Sequence, residues 1–330
     1  MQTRRKVIGA LAALGLCGVI TAGVSNRACA ADAPKPKEAD VQKMEAALPD
    51  KAYAKPEKAR KVLIYGNAQG FVHSSIPLGE VTIEKLGEKT GAWTGTISND
   101  PAAFDNLKDY DAVVLVSTTG HFLLPKGPEG RNVSEEQKKE FEQKVQPDKQ
   151  AEERRLQNLV DFVKGGKGLA GIHASTDAYY DKDEYGNLIG GRFSGHKSGK
   201  EEISVVNEDP SNPVNAAFNG KGFEYADEIY RFKDPAQNKS KQTYDRGTTH
   251  VLLSVDISKH NNEPQGTDMP VAWIRKVGDG RVFYCSLGHN EFVYQDPNIL
   301  KFYLAGIQFA TGDLQASTSP SGAKPSAAAK

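Results

Sequence analysis

Residues 168–177 read Gly-Leu-Ala-Gly-Ile-His-Ala-Ser-Thr-Asp. An apolar run of β type, 169–172, ends abruptly in His173. Small residues follow, then Asp177, where a helix can begin. In open α/β sheets, ligands sit just beyond the carboxyl ends of the strands. A titratable side chain at that point stands where chemistry would be placed. A lone histidine there would more often be structural, bonded to a nearby carbonyl. His173 is not alone, and the rest of the chain explains why.

Working outward, Lys61–Tyr65 and Ala112–Val116 are two more continuous apolar runs. Helical patterns over about 78–90 and 150–164 alternate with them, the first stopping at Gly91 and the second at Gly165-Gly166. This alternation predicts a mainly parallel sheet covered on both faces. The second half differs. Segments 203–206, 228–232 and 251–255 read as half-buried strands. Segments 271–274 and 281–284 read as a hairpin across Gly278-Asp279-Gly280. A closing helix is expected over about 298–310, between Asp296-Pro297 and Gly312. Residues 120–150 are polar and rich in Pro, Gly, Lys and Glu. They read either as a partial lid over the strand ends or as a solvated excursion.

The ends lie outside this core. Residues 1–30 read as a secretory signal peptide: a basic head (Arg4, Arg5, Lys6), an apolar run from 7 to about 24, and Ala28-Cys29-Ala30 as the exit. The paired arginines fit the twin-arginine route, so the expected location is periplasmic or extracellular. A retained anchor is the alternative. Residues 31–60 read as a linker with one short helix (41–48), 61–314 as the domain, and 315–330 as a disordered tail. Without 1–30 the chain keeps 38 basic against 42 acidic residues, which lacks the basic footprint of a nucleic-acid binder. No second apolar run reaches membrane length, so no membrane partner is expected after signal removal. Cys285 alone remains, so the domain makes no internal disulfide. Its apolar strand predicts a buried, inert thiol.

Four of the seven histidines, His73, His121, His173 and His289, sit in the segment just after an expected strand. Parallel strands open their ends on one edge, so loops carrying these imidazoles converge. His196 lies in a glycine-containing loop (190–196), and Glu228 and Tyr230 share one side of a strand-like segment. Imidazole moves protons near neutral pH, and a neighbouring carboxylate serves as partner base or fixes its tautomer. The same residue types bind zinc or a similar divalent ion through three or four ligands. No compact ligand spacing such as His-x3-His occurs. Any metal site would be assembled from distant segments, with His73, His173 and His289 as candidates. No Gly-x-Ser-x-Gly elbow, Walker loop, Rossmann glycine fingerprint or haem-attachment motif is present.

The blocks 165–177, 189–193 with His196, 227–230, 270–273, 280–284, Leu287-Gly288-His289 and Asp296-Pro297 together resemble the ThuA-like (trehalose utilisation) family across the core. The resemblance implies the class I glutamine amidotransferase-like fold, a flavodoxin-like three-layer α/β sandwich. In true amidotransferases a cysteine nucleophile occupies the turn after the central strand. Here His173 takes that place, which argues against glutaminase activity. The family is linked to disaccharide catabolism through 3-keto sugars. One departure is His196-Lys197, where the family usually has His-Pro.

The expectation is therefore an exported lyase, isomerase or hydrolase acting on a sugar or 3-keto-glycoside. His173, Asp177 and Glu228 would move protons, while His73, His121, His196, Tyr230, His289 and Glu291 would bind substrate. No cofactor is demanded beyond an optional divalent metal, and a homo-oligomer is compatible with the sequence. A carbohydrate-binding protein without turnover is the rival. A two-carboxylate glycoside hydrolase ranks last, because no pair of acids stands out as the histidines do.

Overall fold

The computed structural model describes residues 34–127, 133–232, 244–260, 263–264 and 266–322. The signal-peptide reading of 1–30 lies outside the described residues, as do the last eight positions of the chain. In chain order the elements are α1 (Glu38–Ala47), β1 (Lys61–Tyr65), α2 (Ile76–Thr90), β2 (Thr94–Ile97), β3 (Ala112–Val116), α3 (Glu135–Lys144), α4 (Gln146–Lys164), β4 (Gly168–Ile172), α5 (Asp183–Ile189), β5 (Phe193–Gly195), β6 (Glu201–Asn207), β7 (Phe223–Asp227), β8 (Arg231–Phe232), β9 (His250–Val255), β10 (Pro270–Val277), β11 (Gly280–Cys285) and α6 (Pro297–Thr311). No helix among the described residues is long and apolar enough to cross a membrane.

Nine strands form one sheet in the order β2-β1-β3-β4-β11-β10-β9-β6-β7. The first five run parallel and the rest are joined antiparallel. The mainly parallel half and the expected hairpin, β10 with β11, are both present. Successive residues of each central strand feed opposite cores. Val62, Ile64, Ala112, Val114 and Val116 pack with α2 and α6, whereas Leu63, Tyr65, Val113 and Leu115 pack with α4 and α5. Burial on both sides is why these strands read as unbroken apolar runs.

The closing helix starts and stops as its sequence specifies. The Asp296 carboxylate accepts from the N–H groups of Asn298 and Ile299, and Gly312 ends the helix at φ +88°. At Gly306 a Cβ would stand 2.6 Å from the Phe283 ring, so only glycine lets α6 lie this close to β11.

Three segments differ from expectation. First, the region read as a linker is fastened to the domain. Gln308, buried in α6, accepts from the N–H groups of Tyr53 and Ala54 and donates to the Ala54 carbonyl, while Arg60 grips Asp313. A buried amide needs such partners, and an extended chain supplies them. Likewise, part of the expected tail is bonded along β9. Ser321 N–H donates to Thr249, and His250 Nδ1 lies 2.6 Å from the Ser319 carbonyl oxygen. Second, the start of the 120–150 insertion is core rather than lid. Phe122 and Leu123 are fully buried, and Asn67 Nδ2 donates to the carbonyls of Phe122 and Leu124. Third, the strand near 228–232 is displaced. β7 ends at Asp227, and residues 228–230 leave the sheet before β8.

One buried charge is out of keeping with its surroundings. Glu80, on the inner side of α2 beside Gly66, is 6 % exposed, and its Oε1 has no hydrogen-bond partner among the described residues. Burial pushes its pKa up to about 7 from 4.5, against the lesser pull of Asn99 and the Gly66 N–H. The fold therefore holds this proton more tightly than the unfolded chain does. Its contribution is intact below pH 4.5 and is lost as pH rises through about 7. Each unit is worth about 1.4 kcal/mol, so the loss is about 3 kcal/mol. Denaturant unfolding should show Glu80→Gln matching the parent at pH 4 and exceeding it by about that amount at pH 8. Parallel pH profiles for the two proteins would contradict this account.

Candidate active site at the strand ends

β4 delivers His173 to the sheet edge, fully buried, with φ at +52°. A left-handed backbone at a non-glycine residue costs of order 1–3 kcal/mol and persists only where neighbours enforce it. Here they do. Tyr284 Oη donates to the His173 carbonyl at 2.8 Å, and His173 Nδ1 donates to the Ser286 carbonyl at 2.6 Å. That second bond assigns the tautomer: in the neutral ring Nε2 carries the lone pair, and it faces inward.

Three loops bring partners to this nitrogen. His73, from the loop after β1, places Nε2 3.2 Å away. Its Nδ1 is buried without a partner among the described residues. Burial, reinforced by His173 and His289, lowers its pKa to about 2, so His73 stays neutral. Glu228, just past β7, sets Oε2 3.3 Å from His173 Nε2 and 3.2 Å from His289 Nδ1. Its Oε1 lies 3.1 Å from His196 Nδ1. Burial alone would raise this carboxyl, but the nearby His173 and His289 rings outweigh it and hold it well below the usual carboxylate range. For His289 the balance is reversed in sign. Burial disfavours the cation, yet Glu228 wins and the pKa is raised. Tyr230 lies against His173 with ring centres 4.5 Å apart and planes tilted by 35°, and its hydroxyl is 3.1 Å from Nε2. Burial above all raises the phenol's pKa, so it keeps its proton.

These contacts leave an electrostatic conflict. The His173 lone pair meets a carboxylate oxygen at 3.3 Å, and two acceptors at that range need a positive centre between them. His289 Nδ1, although 3.2 Å from Oε2, is off the line that a hydrogen bond requires. A proton or a metal ion answers the first point; a metal ion also answers the second. One donor atom each from His73, His173, Glu228 and His289 falls within 4.8 Å of all the others. Zinc bonds of 2.0–2.1 Å give a tetrahedron with edges of about 3.3 Å. Three of the six separations in this set, 3.2, 3.3 and 3.2 Å, match that edge, and all six are within 4.8 Å.

The remaining expected residues are placed as follows. His196 joins the cluster through Glu228 and is 40 % exposed. Glu291 lies on the next turn and accepts from the Ser74 hydroxyl at 2.7 Å, tying the His73 loop to the His289 loop. Asp177 accepts from the Tyr180 hydroxyl at 2.6 Å rather than contacting His173. His121 is turned away from the cluster. It sits between Glu152 (2.9 Å) and Asp181 (3.3 Å), against Tyr179, because the chain there follows the Gly120–Ala178 bridge toward α4. Cys285, inside β11, is fully buried, and burial pushes its thiol up to about 12.

Sequence reading missed two supports. Asp227, next to Glu228, accepts from the N–H groups of Gly288, His289 and Asn290 and from the Asn290 side chain. It anchors the loop that presents His289. The Ser286 carbonyl, which orients His173, is backbone and has no signature in side-chain identity. For Asp227 a signal existed: two adjacent acids at a strand end, directed to opposite tasks.

A family model described as ThuA, trehalose utilisation, matches residues 61–310. Among solved structures, a putative ThuA-like protein from Bacteroides uniformis is 20 % identical, with TM-score 0.51, covering 78 % of this chain and 94 % of that one. One from Parabacteroides merdae is 15 % identical, with TM-score 0.50, covering 79 % and 93 %. No curated protein matches in sequence. At these identities the structural likeness speaks for the fold alone.

Asp227→Asn keeps the side chain's shape but turns an amide N–H₂ toward backbone donors. Charge-assisted bonds of this kind are worth about 1.5–3 kcal/mol each. Denaturant unfolding should show a loss of about 2 kcal/mol or more. An unchanged midpoint would mean that Asp227 does not hold the loop.

Proposed function

We propose that this chain, which belongs to the ThuA family described as trehalose utilisation, is a carbohydrate-active enzyme whose centre is a divalent cation bound by His73, His173, Glu228 and His289. One observation carries the reading: a lone pair on His173 Nε2, fixed by the Ser286 carbonyl, faces a carboxylate oxygen at 3.3 Å. Imidazole and carboxylate donors suit zinc, and the backbone carbonyl behind His173 is the outer support that metal-binding histidines normally have. When bound, such an ion would polarise a keto oxygen and stabilise the charge it gains.

The protein's own groups supply the proton transfer. His196 is the exposed imidazole of the set, and Glu228 Oε1 orients it through Nδ1. Its Nε2 is then free of that bond to take a proton from the carbon beside a sugar keto group, as the C–H electron pair moves toward the keto oxygen. Return of the proton on the neighbouring carbon gives isomerisation; departure of a glycosidic oxygen gives elimination. Tyr230 and His73, both buried, fix the donor set and keep water out behind it. His173 fills the turn that a nucleophilic thiol occupies in amidotransferases, and Cys285 is remote from that role, so glutaminase chemistry is not part of this reading. The signal-like sequence of residues 1–30 supports a site of action outside the cytoplasm.

Metal analysis of the purified protein should find one zinc-class ion per chain. Glu228→Gln should weaken its binding tenfold or more, as expected when an anionic ligand is removed. In D2O, methyl 3-keto-α-glucoside should acquire deuterium beside the keto carbon, and His196→Ala should slow this by about 10²–10⁴. Sugar bound without exchange would replace the enzyme with a binding protein. A chain that takes up no divalent ion would remove the metal centre.

A further inference from the structure

We infer that Arg231 is the positioning residue of the cluster: its guanidinium fixes the stretch that carries Glu228 and Tyr230 and, through Glu263 and Lys197, the turn that carries His196. This rests on the cation reading above and names what holds that site in shape.

The chain leaves the main sheet at Asp227, the last residue of β7, which lies opposite Glu201, the first residue of β6. Four residues on, Arg231 returns to the same Glu201. Its Nη1 donates to Glu201 Oε2 at 2.6 Å and its Nη2 to Oε1 at 2.8 Å. Both feet of the excursion 228–230 therefore stand at one residue. Nη1 also donates to the Ile229 carbonyl at 2.7 Å, at the midpoint of the excursion, and the Ile229 side chain is fully buried in the core. On either side of this pinned residue, Glu228 and Tyr230 reach His173 Nε2 at 3.3 and 3.1 Å.

The other side of the guanidinium serves His196. Nε and Nη2 both donate to Glu263 Oε1, at 3.0 and 2.6 Å, and the same oxygen pairs with Lys197 Nζ at 2.7 Å. Backbone pairing acts in the same sense, because β5 runs antiparallel to β8 with Gly195 opposite Arg231. His196 lies between Gly195 and Lys197, so both of its chain neighbours are referred to Arg231. Its own Nδ1 then meets Glu228 Oε1 at 3.1 Å.

The chemistry of this junction asks for arginine. A guanidinium carries five N–H donors in one plane, and here each has an acceptor: two on Glu201, two on Glu263 and one on Ile229. An ammonium has three donors and no plane, so lysine keeps the charge and loses the fork. Burial works to raise both carboxyls, yet Arg231, with His260 at Glu201 and Lys197 at Glu263, outweighs it and lowers them, so the junction stays charged and paired. Arg231 is not itself in the donor set and acts on it through the backbone. Groups that orient metal ligands from behind are worth about 10–100-fold in metal affinity.

Zinc competition titrations and the visible absorption of the cobalt(II)-loaded protein test this on the full chain. Arg231→Lys should bind zinc tenfold or more weaker than the parent and shift the cobalt bands, because Glu228 has moved. Arg246, paired with Glu208 and Asp268 outside the cluster, is the control for a purely structural role. Arg246→Lys should lower the melting temperature and leave the zinc constant within twofold. Lys197→Met should also keep zinc within twofold, but slow deuterium exchange of methyl 3-keto-α-glucoside about tenfold in kcat with KM unchanged, and Lys197→Arg should restore it. If Arg231→Lys does not fold, Glu263→Gln, which spares the Glu201 pair, should weaken zinc threefold or more. Zinc affinity unchanged in the folded variant, or weakened equally by Arg246→Lys, would overturn the inference and leave the cation centre standing. A parent that takes up no divalent ion would remove the centre and this inference together.

Discussion

The hydrogen bond from His173 Nδ1 to the Ser286 carbonyl governs the rest of the site. It exists because β4 and β11 are parallel and in register, with Ile172 opposite Cys285. The residues that follow on each strand are then side by side: one gives an imidazole, the other a carbonyl. The bond fixes the tautomer, so that Nε2 points its lone pair into the space where His73, Tyr230 and Glu228 arrive. It also helps hold a left-handed φ that a glycine would adopt freely. A glycine would bring no imidazole. The fold accepts local strain to place a ring at this point.

Around that ring the charges are sorted by neighbour. Two successive acids at the end of β7 take opposite roles. Asp227 turns to backbone N–H groups and Glu228 to imidazoles. The histidines show the same sorting, with His73 driven neutral by burial and His289 drawn toward its cation by Glu228.

Much of this was legible in the sequence, and the reasons differ by residue. Strands buried on both faces announce themselves as apolar runs, so β1, β3 and β4 and the histidines after them could be read directly. His73, His173 and His289 converge because parallel strands end on one edge. His121 follows the same rule in sequence yet departs, because its orientation depends on tertiary partners, Glu152 and Asp181, that lie 31 and 60 positions on. Glu228 and Tyr230 were paired on a presumed strand. Both do reach His173, but from irregular chain after β7. Residues 31–60 read as a linker because they are rich in Ala, Lys, Pro and Glu, and composition cannot register that Gln308 needs the backbone of Tyr53 and Ala54.

The turn after the central strand is a delivery device, and what it delivers determines the chemistry. A thiol there would serve acyl transfer. This chain's thiol is instead enclosed within β11, its pKa driven up to about 12, and an imidazole stands at the turn. An imidazole alone would not call for a cation, because a hydroxyl such as that of Tyr230, 3.1 Å away, is able to donate to its lone pair. The carboxylate changes this. Glu228 is buried, held ionised by the rings around it, and shares Oε2 between two of them. Its negative charge must be matched within the cluster or the burial would expel it. His173 therefore fixes where the cluster lies, and the Glu228 carboxylate gives it the negative donor that suits it to hold a cation.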